Sequence, residues 1–590
     1  GRWVKSLGLE SMDALHAAAV KPTLIVPANI TFYPIRISDN VLSRGAELLL
    51  KGLPDQLLEE LVIEGNFLFR TTDMDIRMGE AVPVRKKWSW WERALLERYF
   101  RGLLSLDELF GLREETAAHW SEKMLARCIS KETYRIRDVC MESIYRNVTV
   151  NLSHLASTMI IKLVKKGEMS IRRELFDKTL YMALKSLQDT SGVGLHRSLY
   201  WPDRYRGVVD GENPLLDRFL ATCRAAGLVG RTPESYRFLD KLRAECDFDE
   251  IRLENPVLVY ANEVAPLAEV AGAVDAAMAK APTASDREIA GLLFDDEIRA
   301  YDWNRRHFSK ERFREINDKE TADENTAPFL LLPEDAMEDA PDKRTGVLLV
   351  HGFLASPAEL AQYGRRLHAQ GLSVMGVRLA GHGTSPWDLK ERAWKDWLRS
   401  VRRGYRILSA YVERIVMVGF SAGGALALLL ASERPEKLSG VAAVSTPVIY
   451  RNRKLAFVPL LHGINKLSSW IPSFEGFMPF IENDSEHPHI NYFNIPVQGL
   501  YQLRLMTDEL QNRLAKVKSP VLIIQGEGDL VVDPKSAKII HGKLASTDKT
   551  LHWVAADRHG IINEDIGNTQ KVLNAFIRRF AEDEPAGTAA

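Results

Sequence analysis

The sequence predicts an α/β protein in two parts. The first half reads as mixed α/β and then mainly helical, and the second as a mostly parallel sheet with helices on both faces and a cap insertion. Two observations carry this. From residue 345 onward, short β-branched apolar runs alternate with stretches of helical periodicity. At Arg414-Ile-Val-Met-Val-Gly419-Phe-Ser421-Ala-Gly423-Gly424, one such run ends in Gly-x-Ser-x-Gly and passes at once into an Ala/Leu-rich helix pattern.

With 590 residues the chain exceeds what a single hydrophobic core usually organises, so several domains are expected. Its hydrophobic share of 46% and charged share of 27% are those of a globular protein. A formal net charge of −1, with no basic stripe, removes the electrostatic case for a nucleic-acid partner. Cys128, Cys140, Cys223 and Cys246 lack metal-ligand spacing and read as reduced thiols. No metal or cofactor is expected. No apolar run reaches the roughly 18 residues a membrane span needs, and no signal-peptide pattern is visible. The expected setting is cytoplasmic, with peripheral membrane contact left open and oligomeric state unspecified. The chain starts Gly1-Arg-Trp rather than with methionine, so a fragment or processed product is expected.

In chain order, residues 1–85 alternate strand and helix signals. A strand runs from Thr23-Leu-Ile-Val-Pro27 to Tyr33-Pro34, a helix is expected over 39–50, and strands over 61–69 and 73–79. Arg85-Lys86-Lys87-Trp88-Ser89-Trp90-Trp91 has the basic and indole composition of a bilayer headgroup contact. The preferred expectation is a solvated turn followed by buried tryptophans. Residues 86–319 read as mainly helical, and within 152–164 His154 is expected to be a hydrogen-bonded core residue. Residues 320–345 are acidic and proline-bearing, a linker by composition. A sheet domain over 346–582 and a disordered tail over 583–590 complete the chain.

The chemistry lies in that last domain. Gly419 and Gly423 leave room for the sharp turn that would lift the Ser421 hydroxyl above the sheet edge. The helix behind it offers backbone N–H groups to a developing oxyanion. Thr345-Gly-Val-Leu-Leu-Val350-His351-Gly352-Phe353 is a second strand opening into a glycine turn, so the Phe353 and Ala422 N–H groups could form an oxyanion hole. Downstream, in the order acid then histidine, one strand delivers Gly526-Glu527-Gly528-Asp529 and another delivers Asp557-Arg558-His559-Gly560. His559 is the expected base and Asp529 its orienting acid. Glu527 and Asp533 are rivals, Asp533 reading more naturally as a helix cap before Pro534. Between the sheet strands, residues 446–519 form the expected cap, rich in apolar side chains such as Phe457, Leu460, Leu461, Trp470, Ile471, Phe474, Phe477, Met478, Phe480 and Tyr492.

Together Leu348-Leu-Val-His351-Gly352-Phe353, Arg378-Leu-Ala-Gly381-His382-Gly383, Trp394-Lys-Asp-Trp397, Gly419-Phe-Ser421-Ala-Gly423-Gly424, Gln525-Gly-Glu-Gly-Asp529 and Arg558-His559-Gly560 resemble the α/β-hydrolase family. Within it, the likeness is to small carboxylesterases and monoacylglycerol lipases. The resemblance implies an α/β-hydrolase fold and a triad of Ser421, Asp529 and His559. It also implies an oxyanion hole of Phe353 and Ala422, and a structural role for Gly381-His382-Gly383. The function it implies is a serine ester hydrolase acting on lipid-like acyl esters through a Ser421 acyl-enzyme. Ile25-Val26-Pro27 and Tyr33-Pro34 make residues 1–85 resemble the later part of glycerophospholipid acyltransferases, whose catalytic motifs would fall before residue 1. That implies an alternative, a glycerolipid acyltransferase or a bifunctional acyltransferase and hydrolase. A membrane-surface scaffold with an inactive hydrolase is a third expectation.

Overall fold

Contacts divide the chain after Thr283, into Gly1–Thr283 and Ala284–Ala590. The structure, a computed structural model, describes residues 4, 8–21, 23–33, 73–84, 88–102, 111–113, 115, 117–244, 254–322, 324–333, 345–451, 479–483 and 485–581. The expected helix over 39–50, the strand over 61–69, Pro34, the basic run 85–87, Cys246, the cap residues from Phe457 to Met478 and the tail 583–590 lie outside the described residues.

In the first unit, β1 (Ala28–Tyr33) pairs antiparallel with β2 (Asp73–Met78), Ile30 facing Ile76. Period-2 alternation buries Thr31 and Tyr33 and leaves Ile30, Met74, Ile76 and Met78 outward. Helix α1 (Trp90–Gly102) begins where Ser89 and Glu92 exchange capping bonds: the Ser89 N–H donates to Glu92 (2.7 Å) and the Glu92 N–H to Ser89 (3.4 Å). That start puts the two indoles in the first turn facing outward. Trp90 is 82% exposed and Trp91 40%, contrary to the buried tryptophans expected. Helix α2 (Leu152–Lys165) is capped by Asn151, and His154 is fully buried. Its Nδ1 accepts the Asn151 N–H (3.0 Å), and its Nε2 meets Glu263 (2.8 Å) on α3 (Pro256–Glu263). Strands Ser170–Arg172, Ser235–Phe238 and Val229–Arg231 form a small antiparallel sheet, in that order, inside the stretch expected to be mainly helical. With three or four residues each, they are too short to display a period of two.

The second unit opens earlier than composition suggests. Helix α4 (Asp286–His307) packs on α6 (Trp394–Ser409) and ties to it through Glu297 and Arg403 (2.6 Å). The division therefore falls at 283/284, ahead of the linker expected over 320–345, because this helix buries its apolar face in the second core. The acidic stretch also contains a strand, β3 (Phe329–Leu331), whose Phe329 ring fills the space over Gly376 and Gly364. The other sheet strands are β4 (Thr345–Val350), β5 (Ser373–Val377), β6 (Arg414–Phe420), β7 (Leu438–Val444), β8 (Val521–Gly526) and β9 (Lys549–Val554). The order across the sheet is β9-β8-β7-β6-β4-β5-β3, parallel throughout except for the antiparallel edge β3.

Both faces are covered, as the unbroken apolar runs require. Val347, Leu349, Val374, Val416 and Val418 meet helices α5 (Ala358–His368) and α10 (Thr569–Ala581) on one side. Leu348 and Met375, one position out of step, face α6, where a Cβ at Gly404 would stand 3.3 and 3.5 Å from them. Helix α7 (Ala422–Ala431) packs on β6 and β7, and α8 (Val497–Arg513) packs on α6 and α7. The last part of the expected cap, 446–519, is therefore a helix packed on two of the helices that cover the sheet. Ahead of that helix the described residues include a short hairpin, Phe480–Glu482 paired with Asn494–Pro496. Helix α9 (Lys535–Lys543) lies between β8 and β9 in sequence. The fold is the expected α/β class. Its parallel strands all end on one edge, where ligands of such sheets bind. No single described helix is long and apolar enough to cross a membrane.

Candidate active site

Ser421 stands between the last residue of β6 and the first of α7 with φ 53° and ψ −119°, a backbone region that non-glycine residues adopt only under constraint. Its N–H donates to Val444 O (2.8 Å), tying the turn to the neighbouring strand. A Cβ at Gly419 would come within 2.3 Å of Gly423 O, and one at Gly423 within 2.0 Å of Val350 O. Backbone cannot yield by that much, so both positions require glycine.

Three loops converge on this turn. His559, from the loop after β9, places Nε2 3.0 Å from Ser421 Oγ and Nδ1 2.9 Å from Asp529 Oδ2. A carboxylate beside Nδ1 fixes the tautomer with its hydrogen there and leaves Nε2 free to accept the serine proton. Asp529, from the loop after β8, is fully buried. Its Oδ1 accepts the Val531 and Val532 N–H groups (both 2.9 Å), and its Oδ2 also accepts from Gln525 (3.1 Å). Burial alone would raise the carboxyl. The hydrogen bond and charge of His559, with the Val532 and Val531 N–H groups, outweigh it and hold the group below its ordinary value. The rivals go elsewhere: Glu527 points to solvent, and Asp533 accepts the Lys535 N–H (2.9 Å) at the start of α9.

The Phe353 and Ala422 N–H groups donate to no other described residue. The turn that presents Phe353 is held by groups that sequence reasoning missed. Glu359, on α5, accepts the Gly352 N–H (2.7 Å), and a Cβ at Gly352 would lie 3.3 Å from that carboxylate and 3.5 Å from Ser421 Cβ. Burial pushes Glu359 up to about 7, against the opposing pull of the Gly352 N–H and His559. The loop that carries His559 is held in turn by Glu486, which accepts the His559 and Gly560 N–H groups (3.4 and 3.3 Å). The signal for Glu359 was a lone acid in an apolar turn; Glu486 had none. His351 donates through Nδ1 to Gly352 O (2.8 Å) and accepts the Leu379 N–H at Nε2 (3.2 Å), and burial lowers it to about 3. His382 is wedged among His351, Phe353 and Trp397 with ring centroids 5.3 to 5.8 Å away, a packing role for the Gly381-His382-Gly383 loop. Among the described residues no group of His, Cys, Asp or Glu is arranged to hold a metal ion.

Such an arrangement can transfer a proton from a hydroxyl to an imidazole, with two N–H donors that no other described residue uses. Residues 341–566 match the family described as serine aminopeptidase, S33. The chain is 31% identical over 213 residues to a thermostable monoacylglycerol lipase of Bacillus sp. (strain H-257), covering 35% of this chain and 79% of that protein. It is 27% identical over 216 residues to a carboxylesterase of Bacillus subtilis (strain 168), covering 36% and 84%. A solved structure of metagenome-derived lipolytic enzymes shares 25% identity with a TM-score of 0.38, covering 44% of this chain and 99% of that one. The acyltransferase likeness expected of residues 1–85 gains no support from these comparisons.

Proposed function

We propose, because this chain belongs through residues 341–566 to the α/β-hydrolase family described as serine aminopeptidase S33, that its second unit hydrolyses lipid-like carboxylic esters through an acyl-enzyme on Ser421. The observation that carries the proposal is the unbroken run of hydrogen bonds from Ser421 Oγ through His559 to Asp529, 3.0 and 2.9 Å. The lipase and esterase names of the two Bacillus relatives support an ester over a peptide substrate.

The steps follow from the geometry. His559 Nε2 takes the Ser421 proton as Oγ attacks the ester carbonyl carbon, and Asp529 stabilises the imidazolium without itself taking the proton. The carbonyl oxygen, now an oxyanion, accepts from the Phe353 and Ala422 N–H groups, each worth about 3 kcal/mol of transition-state stabilisation in sites of this kind. The carbon–oxygen bond to the alcohol breaks, and His559 returns the proton to that leaving oxygen. Water then enters, gives a proton to His559 and attacks the acyl carbon; the bond from that carbon to Ser421 Oγ breaks, the carboxylic acid leaves, and the protonated imidazole returns its proton to Oγ.

The test is turnover of p-nitrophenyl esters of graded chain length together with fluorophosphonate labelling. The wild type should show both, and Ser421→Ala should lose turnover by about 10⁵-fold or more and lose labelling entirely. Labelling that survives the substitution sinks the proposal.

A further inference from the structure

Tyr492 sits where separate segments of the second unit meet. Its backbone N–H donates to Leu354 O (3.1 Å). Its hydroxyl donates to Gly381 O (3.0 Å) and accepts the Thr384 N–H (2.7 Å). Only 4% of the residue is exposed, and burial raises the phenol far above its ordinary range, so it keeps the proton this double role requires.

Leu354 is the residue that needs such support. It follows Phe353 directly, is buried, and has φ +69°, the left-handed region that an L side chain occupies only when its surroundings hold it there. The hold on its carbonyl comes from Tyr492. Tyr492 is itself moored, since Asn483 donates to its carbonyl (3.1 Å) and Glu320 accepts the Phe493 and Asn494 N–H groups that follow (2.8 and 3.0 Å). Beyond it, Thr326 donates to Gly383 O (2.7 Å), fixing the same loop that the phenol grips. None of these bonds reaches Ser421, Asp529 or His559.

We propose that Tyr492 is a positioning residue for the oxyanion hole. Seated between Gly381 and Thr384, it keeps the Leu354 turn in its strained conformation and so aims the Phe353 N–H at the reacting carbonyl oxygen. With the hydroxyl removed the turn relaxes, and that donor leaves its line. The inference rests on the ester-hydrolase reading above and adds to it the element that sets one of its donors.

The full chain carrying Tyr492→Phe keeps the ring and its packing but loses the shared hydroxyl. Losing an oxyanion donor outright costs 10²–10³ in kcat, so a misaimed one should lower kcat about tenfold, with KM for a p-nitrophenyl ester within about twofold of wild type. Binding of phenylboronic acid, whose tetrahedral adduct puts an oxygen in the same hole, should weaken by a similar factor. Adding Leu354→Gly should restore most of kcat, because glycine adopts a positive φ without outside support. A Tyr492→Phe chain with wild-type kcat overturns the inference and leaves the hydrolase reading standing. So does a loss that Leu354→Gly does not relieve and that tracks a matching fall in Tm, since that pattern marks general destabilisation. A wild-type chain inert toward both ester and fluorophosphonate would overturn the parent reading and this inference with it.

Discussion

In the first unit, His196 meets the Ser198 hydroxyl through Nδ1 (2.7 Å), and Asp75 and Asp73 lie 3.5 and 3.6 Å from its Nε2. In the second, His559 meets the Ser421 hydroxyl through Nε2 (3.0 Å), and Asp529 lies 2.9 Å from its Nδ1. The residue types are the same, and the arrangements are not equivalent. Ser198 follows His196 by two positions, and its own N–H also donates to Nδ1 (3.2 Å), so the imidazole caps the short helix Arg197–Leu199. The carboxylates stand beyond hydrogen-bond distance, and Asp73 is engaged by Arg197 (2.6 Å). Burial outweighs the pull of Asp75 and Asp73 and lowers the His196 pKa. Ser198 is not among the residues with positive φ, whereas Ser421 is. A serine, a histidine and an aspartate become a proton-transfer chain only when separate loops present them and the serine backbone is forced outward.

The sharpest way to break this comparison is to neutralise the acid on each side. Asp529→Asn should lower kcat for a p-nitrophenyl ester by about 10⁴-fold, because the imidazole loses the partner that fixes its tautomer. Asp75→Asn should leave kcat within about twofold of wild type. Equal losses would mean the first cluster also takes part in the reaction.

Glu359 gives a smaller and more specific contrast, since Asp73 and Asp75 are half-exposed and Glu359 is buried. Burial raises its folded-state pKa from 4.5 to about 7, so between those values the folded chain keeps a proton that the unfolded chain has lost. Stability therefore falls as pH rises through that window, and the cost is fully present above about pH 7. Glu359→Gln removes the titration. Its Tm relative to wild type should climb between about pH 5 and pH 8, by the equivalent of at most about 3 kcal/mol. A difference in Tm that stays constant with pH would show that the carboxyl does not titrate there. The smallest effect is expected for Ser198→Ala. It should cost about 1 kcal/mol in urea unfolding through the lost bond to His196, with esterase turnover unchanged.

What could be read from the residues alone was local. Gly419 and Gly423 were legible because backbone collisions within the turn demand them, and Asp529 and His559 because each follows a strand end in a recognisable loop. Glu486 and Tyr492 were not legible in these roles, because they act on backbone groups far from them in sequence, and Glu359 was not, because a carboxylate seven positions after Gly352 forms no recognised spacing pattern. The domain boundary was misplaced because helix Asp286–His307 looks like any amphipathic helix until its partner, Trp394–Ser409, is known. The acid-rich stretch hid a sheet strand of only three residues, Phe329–Leu331.

That boundary has a practical consequence for anyone isolating the second half. A recombinant fragment cut where the family match begins, at residue 341, would discard the acid of the Glu297–Arg403 pair, the Glu320 carboxylate beneath Phe493 and Asn494, and the Thr326 hydroxyl on Gly383. It would keep every residue of the triad and lose the footing of the hairpin beside it. Excision at Ala284 preserves both.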